Sequence, residues 1–264
     1  MYVLGIETSC DETAASVVRD GKRILSNVVI SSLKFHQKYG GIVPEIASRL
    51  QLETITGIVD CAIKEARVSS KDINLISVTA GPGLLGSLLV GISFAKAVSF
   101  SLKIPLLGIN HLHSHIYANF LNGVCVPLPF VGLVVSGGHT SLFYVEDFDK
   151  MRLLGSTLDD ACGEAFDKVA KILGLGYPGG PLIERLARRG NSKNIKFNCS
   201  DTKNPLDFSF SGIKTAVLYN VKKNSTVHSR QSTEKENYGL CLPAGKAGTM
   251  DSNVTLLLHS KRQS

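Results

Sequence analysis

Two stretches built to the same plan limit what this chain can fold into. Near the start an apolar strand, Val3–Ile6, runs into Glu7-Thr8-Ser9 and a pair of adjacent carboxylates, Asp11 and Glu12. A second apolar strand, Ala14–Val18, follows Thr13. Farther along, Phe130–Val135 leads into Ser136-Gly137-Gly138-His139-Thr140 and out through Ser141–Val145. Small residues at a strand end let backbone N–H groups face an anion, as phosphate loops do. Either copy alone is also a tight hairpin turn. The repetition predicts two similar halves.

Between the copies, strands alternate with helices. Apolar residues at Ile46, Leu50, Ile55, Ile58, Val59, Ala62 and Ile63 recur at helical spacing after Pro44, which suits a first helical turn. Ile73–Thr79 reads as a buried strand, and a helix follows Gly81-Pro-Gly-Leu-Leu-Gly86 to about Leu102. Such alternation predicts an α/β chain with a parallel or mixed sheet. The loop 81–86 fits G-x-G-x-x-G, yet no acidic residue stands about 20 positions on to hold a ribose. It is expected to be a packing loop.

The charge and cysteine patterns narrow the class. A net charge of +7 is concentrated beyond residue 184, which points to a polyanion such as nucleic acid or to a solvated basic tail. Six cysteines are scattered without a CxxC pair, fitting a reducing cytoplasm rather than a disulfide framework. No apolar run looks long enough to span a bilayer and no signal pattern opens the chain, so neither membrane contact nor export is expected.

Four groups of residues offer chemistry. In His111-Leu-His-Ser-His115, the first and last histidines fall on one helix face and can chelate one first-row metal, iron or zinc alike. A polar helix surface with incidental histidines is the plain alternative. The Ser136–Gly138 loop offers backbone donors to a phosphate. The stretch Asp159–Leu173 reads as an amphipathic helix with Cys162, Ala165, Phe166, Val169 and Leu173 on its apolar stripe. A Gly-rich turn then feeds a helix expected at Pro181, which makes Asp167 a candidate hydroxyl-binding carboxylate. Asp207–Ala216 starts a further helix near Ser211, where Lys214 can reach a phosphate or simply lie on the surface.

Taken together, GIETSCDET (5–13), YGGIVPEIASRLQLE (39–53), TAGPGLLGSLLVG (79–91), NHLHSHIYA (110–118), VSGGHTSL (135–142), DDACGEAFDKVAKILGLGYPGGPLIE (159–184) and FSFSGIKTAV (208–217) resemble the TsaD family in order and spacing. That family makes the threonylcarbamoyl modification of tRNA. The resemblance implies an actin/Hsp70-like (ASKHA) fold of two ribonuclease-H-like subdomains around a nucleotide cleft, here 1–108 and an incomplete 109–220, followed by a divergent basic tail, 221–264. It implies an acyltransferase that moves the threonylcarbamoyl group from threonylcarbamoyl-AMP to N6 of adenosine 37 in tRNAs reading codons that start with A.

Residue by residue, His111 and His115 resemble the ligands of the family's single divalent metal, usually iron, with zinc as the alternative. Val134, Val135, Ser136, Gly137 and Gly138 resemble its substrate loop. Asp167 and Gly180 match its adenosine and ribose contacts, Glu184 a further polar contact, and Asp11 and Glu12 its essential acidic pair. TsaB-like and TsaE-like proteins are the implied partners, in the cytoplasm. Neither the family's Gly-Gly-Val-Ala-Ala-Asn-type loop nor its late Thr-Asp-Asn-type segment, whose Asp is the third metal ligand, occurs in 221–264. A third ligand would then come from Asp11, water or substrate. Two other readings stand beside the transferase: a phosphotransferase on the same fold, and an inactive paralogue that binds its TsaB-like partner. The histidine pair speaks against the first, since phosphoryl transfer uses Mg²⁺ held by oxygen ligands.

Overall fold

In the first of two units, Met1–Leu128, the strands are β1 (Tyr2–Glu7), β2 (Glu12–Arg19), β3 (Arg23–Ser31), β4 (Ile73–Gly81) and β5 (Leu106–Asn110). A computed structural model describes residues 1–121, 126–191, 197, 202–231 and 254–259 of the chain. The strand order is β3-β2-β1-β4-β5, with β2 antiparallel to both neighbours and β4 and β5 running parallel to β1. Hairpins join the first three strands, whereas the parallel strands need crossover helices.

Those crossovers are α2 (Pro44–Ala66) and α3 (Leu85–Leu102); a single turn, α1 (Leu33–His36), precedes them and α4 (His111–Ala118) ends the unit. Alternation along β1 and β2 turns Leu4, Ile6, Ala15 and Val17 inward, where they meet Ile55, Ile58, Val59 and Ala62 of α2. The predicted stripe of α2 is therefore its core face. Residues 33–39 form α1 and a short 3₁₀ turn, Gln37–Tyr39, because His36 is fully buried and ties them down.

Two sequence expectations change in this unit. α3 is, by length and composition, apolar enough to cross a membrane, with a mean hydropathy of 1.6 over 18 residues. Interspersed Gly and Ser hide the run by eye. Here α3 packs on β4 and α2, and Gly91 lies so close to the Thr8 hydroxyl that a Cβ would collide with it. The boundary also moves: α4 packs on β5 and β4, so the histidine segment belongs with the first unit and not with a second one beginning at residue 109.

The second unit, Pro129–Ser264, has β6 (Phe130–Val135), β7 (Thr140–Asp147), β8 (Lys150–Ser156), α5 (Cys162–Ile172), α6 (Gly179–Ala187), α7 (Ser211–Gln231) and β9 (Val254–His259). Its sheet order is β8-β7-β6-β9, every pair antiparallel. Both strand–loop–strand copies thus form antiparallel hairpins, β1–β2 and β6–β7. β8 has no clear alternation and escaped the sequence reading. The tail from 221 is not wholly without structure, since α7 continues to Gln231 and β9 pairs with β6. Its other residues, 232–253 and 260–264, lie outside the described set.

Candidate functional site

The turn between β1 and β2 carries the acidic pair and is held from several sides. Glu7 ends β1, where its carboxylate accepts the Ser9 amide and the Thr79 hydroxyl. Thr8 donates its hydroxyl to the Ser87 carbonyl at 2.8 Å. Buried Gln51, two turns into α2, donates Nε2 to the carbonyls of Cys10 at 2.9 Å and Glu12 at 3.0 Å. On the other side the Ser32 hydroxyl donates to the Asp11 carbonyl at 2.7 Å and contacts His36 Nε2 at 2.9 Å, while Val43 N–H donates to His36 Nδ1 at 3.2 Å. Gln51, Ser32 and His36 went unnoticed in the sequence because a buried polar side chain has no periodic signature.

Burial and charge crowding give this turn unusual acidities. Glu12 is raised to about 8, first by burial and then by the Asp11 carboxylate beside it. The Cys10 thiol is pushed up to about 12 by burial and the same two carboxylates, which disqualifies it as a nucleophile. Glu7 goes the other way. Burial opposes its ionisation, but the His111 hydrogen bond and charge, with Ser9 and Thr79, hold it at about 2.

The loop 81–86 closes over this turn and is a packing loop, as expected. Leu84 N–H donates to the Ser9 carbonyl at 2.7 Å.

α4 starts directly after β5, with Asn110 as its N-cap: the side-chain oxygen accepts from Leu112 N at 2.9 Å and His113 N at 3.2 Å. Leu112 and Ile116 are buried. His111 and His115 share the face one turn apart, their rings edge to face with centroids 4.6 Å apart. Their Nε2 atoms converge to 3.1 Å, so both can reach one cation at about 2.0–2.1 Å. The residues present therefore fit two ligands of a metal. Among the described residues no group of three His, Cys, Asp or Glu side chains forms a fuller set, so Asp11 does not join the pair as third ligand.

In the second unit the loop 136–139 folds on itself. Ser136 N–H donates to the His139 carbonyl at 2.8 Å and His139 N–H to Ser136 Oγ at 3.0 Å. The loop rests on the start of α5: Gly163 N–H donates to the Ser136 carbonyl at 3.2 Å and Cys162 N–H to Thr140 Oγ1 at 2.9 Å. A Cβ on Gly163 would stand 2.6 Å from that carbonyl, so the contact requires glycine. The first amides of α5 are thus used internally, and among the described residues Gly137 and Gly138 are left with unbonded N–H groups. Val134 is a core residue, paired with Ser141 and Thr255, and Val135 pairs with Thr140 and Val254. Both valines reach the loop through backbone alone.

α6 begins at Gly179 rather than Pro181, because the Asp167 carboxylate accepts Gly179 N–H at 2.6 Å. Burial, chiefly, raises Asp167 above the ordinary carboxylate range. A Cβ on Gly179 would sit 2.6 Å from the Phe166 carbonyl, whereas beside Gly180 only Phe166 Cβ comes within 4.0 Å. Glu184 is exposed and paired with Arg188 at 2.7 Å. Lys214 lies 3.7 Å from Asp160, which Lys168 holds at 2.5 Å. The α5 stripe is narrower than expected, since Ala165 and Ala170 are buried while Phe166 and Leu173 are each 43% exposed.

A mixed sheet flanked by helices in the first unit, with its leading hairpin repeated in the second, defines an α/β chain. The family model for TsaD, tRNA N6-adenosine threonylcarbamoyltransferase, matches residues 23–247, so the chain belongs to that family. The match extends beyond residue 220, where the motifs legible by eye end. Curated relatives of that name from Caldicellulosiruptor saccharolyticus and Symbiobacterium thermophilum are each 54% identical, over 84% and 88% of this chain and 66% and 68% of their own length. The chain thus spans about two thirds of the relatives it matches. Among solved structures, a ROK hexokinase from Thermus thermophilus aligns at TM-score 0.45 with 20% identity, covering 73% of this chain and 71% of that one. YeaZ from Pseudomonas aeruginosa aligns at TM-score 0.40 with 15% identity, over 58% of this chain and 63% of that one.

Proposed function

We propose that this chain transfers the threonylcarbamoyl group of threonylcarbamoyl-AMP to N6 of adenosine 37 in tRNAs reading codons that start with A. The observation that carries the proposal is the convergence of His111 and His115 at 3.1 Å in a chain of the TsaD family. His111 and His115 would hold one divalent metal, Fe²⁺ in our reading with Zn²⁺ as the alternative. When bound, the metal supplies Lewis-acid polarisation of the donor's oxygens.

The chain's own residues account for the remaining needs. In the transfer, N6 bonds to the donor's acyl carbon, the anhydride C–O bond breaks, AMP leaves with that electron pair, and N6 gives up a proton. The free amides of Gly137 and Gly138 suit the charge that collects on the leaving phosphate. Glu12, whose pKa of about 8 lies near neutrality, suits the proton transfer. Asp167 and Gly180 serve the adenosine and ribose, Val134 and Val135 fix the loop's backbone, and Glu184 contributes after leaving Arg188. TsaB-like and TsaE-like proteins and a cytoplasmic setting belong to the same proposal.

The test is nucleoside mass spectrometry of such a tRNA after incubation with the chain, threonylcarbamoyl-AMP, partner proteins and Fe²⁺. Threonylcarbamoyladenosine above the control without the chain is expected. Its absence with a folded chain would overturn the proposal.

A further inference from the structure

We infer that Glu7 is a positioning residue for the histidine pair: its carboxylate takes the Nδ1–H of His111 and so turns the Nε2 lone pair of that ring toward His115. The inference rests on the reading of His111 and His115 as metal-holding residues.

The geometry is specific. Glu7 Oε2 lies 3.3 Å from His111 Nδ1, and Ser9 Oγ lies 3.2 Å from the same nitrogen. An ionised carboxylate only accepts hydrogen bonds, so this contact places the ring proton on Nδ1. Nε2, across the ring, is the nitrogen 3.1 Å from His115 Nε2. Glu7 faces the far side of His111 and is a partner of the ligand, not a further ligand.

Glu7 is itself held. It ends β1, its two oxygens are engaged by Ser9 and Thr79, and the His111 side chain beside it is only 16% exposed. Thr79 comes from β4, the strand next to β1 on the side away from β2, so the sheet itself fixes the carboxylate. A histidine whose second nitrogen donates to a fixed carboxylate has its tautomer and ring orientation set before a metal arrives.

Two measurements on the full chain test the inference. The first is Zn²⁺ affinity by chelator competition for wild type, Glu7→Ala, Glu7→Gln and Thr79→Val, each checked for folding by a circular-dichroism melt. We expect Glu7→Ala to weaken Zn²⁺ binding by about 10–100-fold, with Glu7→Gln and Thr79→Val in between. The second is the His111 tautomer in the metal-free chain, by ¹⁵N NMR. Wild type should hold the Nδ1–H form, and Glu7→Ala should shift it toward Nε2–H. A folded Glu7→Ala with wild-type affinity and tautomer would overturn the inference; if that variant does not fold, Glu7→Gln decides by the same criteria. Should wild type bind no Zn²⁺, the metal reading falls, while the tautomer still decides what Glu7 does.

Discussion

Leu84 donates its amide hydrogen to the Ser9 carbonyl at 2.7 Å, which fastens the Gly81–Gly86 loop to the turn carrying Asp11 and Glu12. The approach is possible because Gly83 has no side chain. A Cβ there would stand 2.5 Å from the Ser9 oxygen and 2.8 Å from its Cβ. Gly83→Ala should therefore destabilise the protein by about 1–3 kcal/mol through overpacking. Gly57, exposed in the middle of α2 with nothing within 4 Å of its Cβ position, is the control. Gly57→Ala should stabilise by about 0.5–1 kcal/mol. Urea denaturation of both variants reads the difference, and equal effects would contradict this packing.

Gln51 is the second fastening of the same turn. Gln51→Leu keeps the bulk but strips the donor from the buried carbonyls of Cys10 and Glu12. A loss of about 1–3 kcal/mol is expected from the desolvated acceptors. A urea midpoint equal to wild type would show that the tether is idle.

The two shifted carboxylates of the turn predict opposite pH dependences. Glu7 is held at about 2, below its ordinary 4.5. Its stabilisation is complete above about pH 4.5 and fades as pH falls toward 2. Glu12 is raised from 4.5 to about 8. The folded state holds that proton more tightly than the unfolded chain, so the contribution is full below about pH 4.5 and is lost as pH rises through 8. Glu12→Gln removes this slope. Its stability relative to wild type should climb between about pH 5 and 8 and level off above about pH 9. A pH-independent difference would refute the raised acidity constant.

Asp159 caps α7 from a distance in sequence. Its oxygens accept from Phe210 N at 2.8 Å, Ser211 N at 3.3 Å, and the hydroxyls of Ser209 at 2.6 Å and Ser211 at 2.8 Å. Although burial pulls upward, these bonds hold it at about 2. Asp159→Ala should cost about 1 kcal/mol, the usual value of a lost cap, and should speed hydrogen exchange at Phe210 and Ser211. Unchanged exchange there would rule the cap out.

Much of this was legible in the residues themselves. The β1–β2 and β6–β7 hairpins, the α2 core face and the His111/His115 pairing all follow from periodicity, which a sequence displays directly. The failures share a cause. β8 lacks alternation, the start of α6 is set by an Asp167 contact with Gly179, and Gln51, His36 and Glu7 act through partners distant in sequence. No local pattern encodes such contacts. α3 misled differently, since its small residues let it pack closely while breaking up its apolar run.

Metal content measured by inductively coupled plasma mass spectrometry is the most direct check on the histidine pair. The wild-type chain, loaded with Fe²⁺ or Zn²⁺ and desalted, should retain one equivalent, and folded His111→Ala and His115→Ala chains should retain almost none. Equal metal in the wild type and both variants would contradict the assignment of His111 and His115 as ligands.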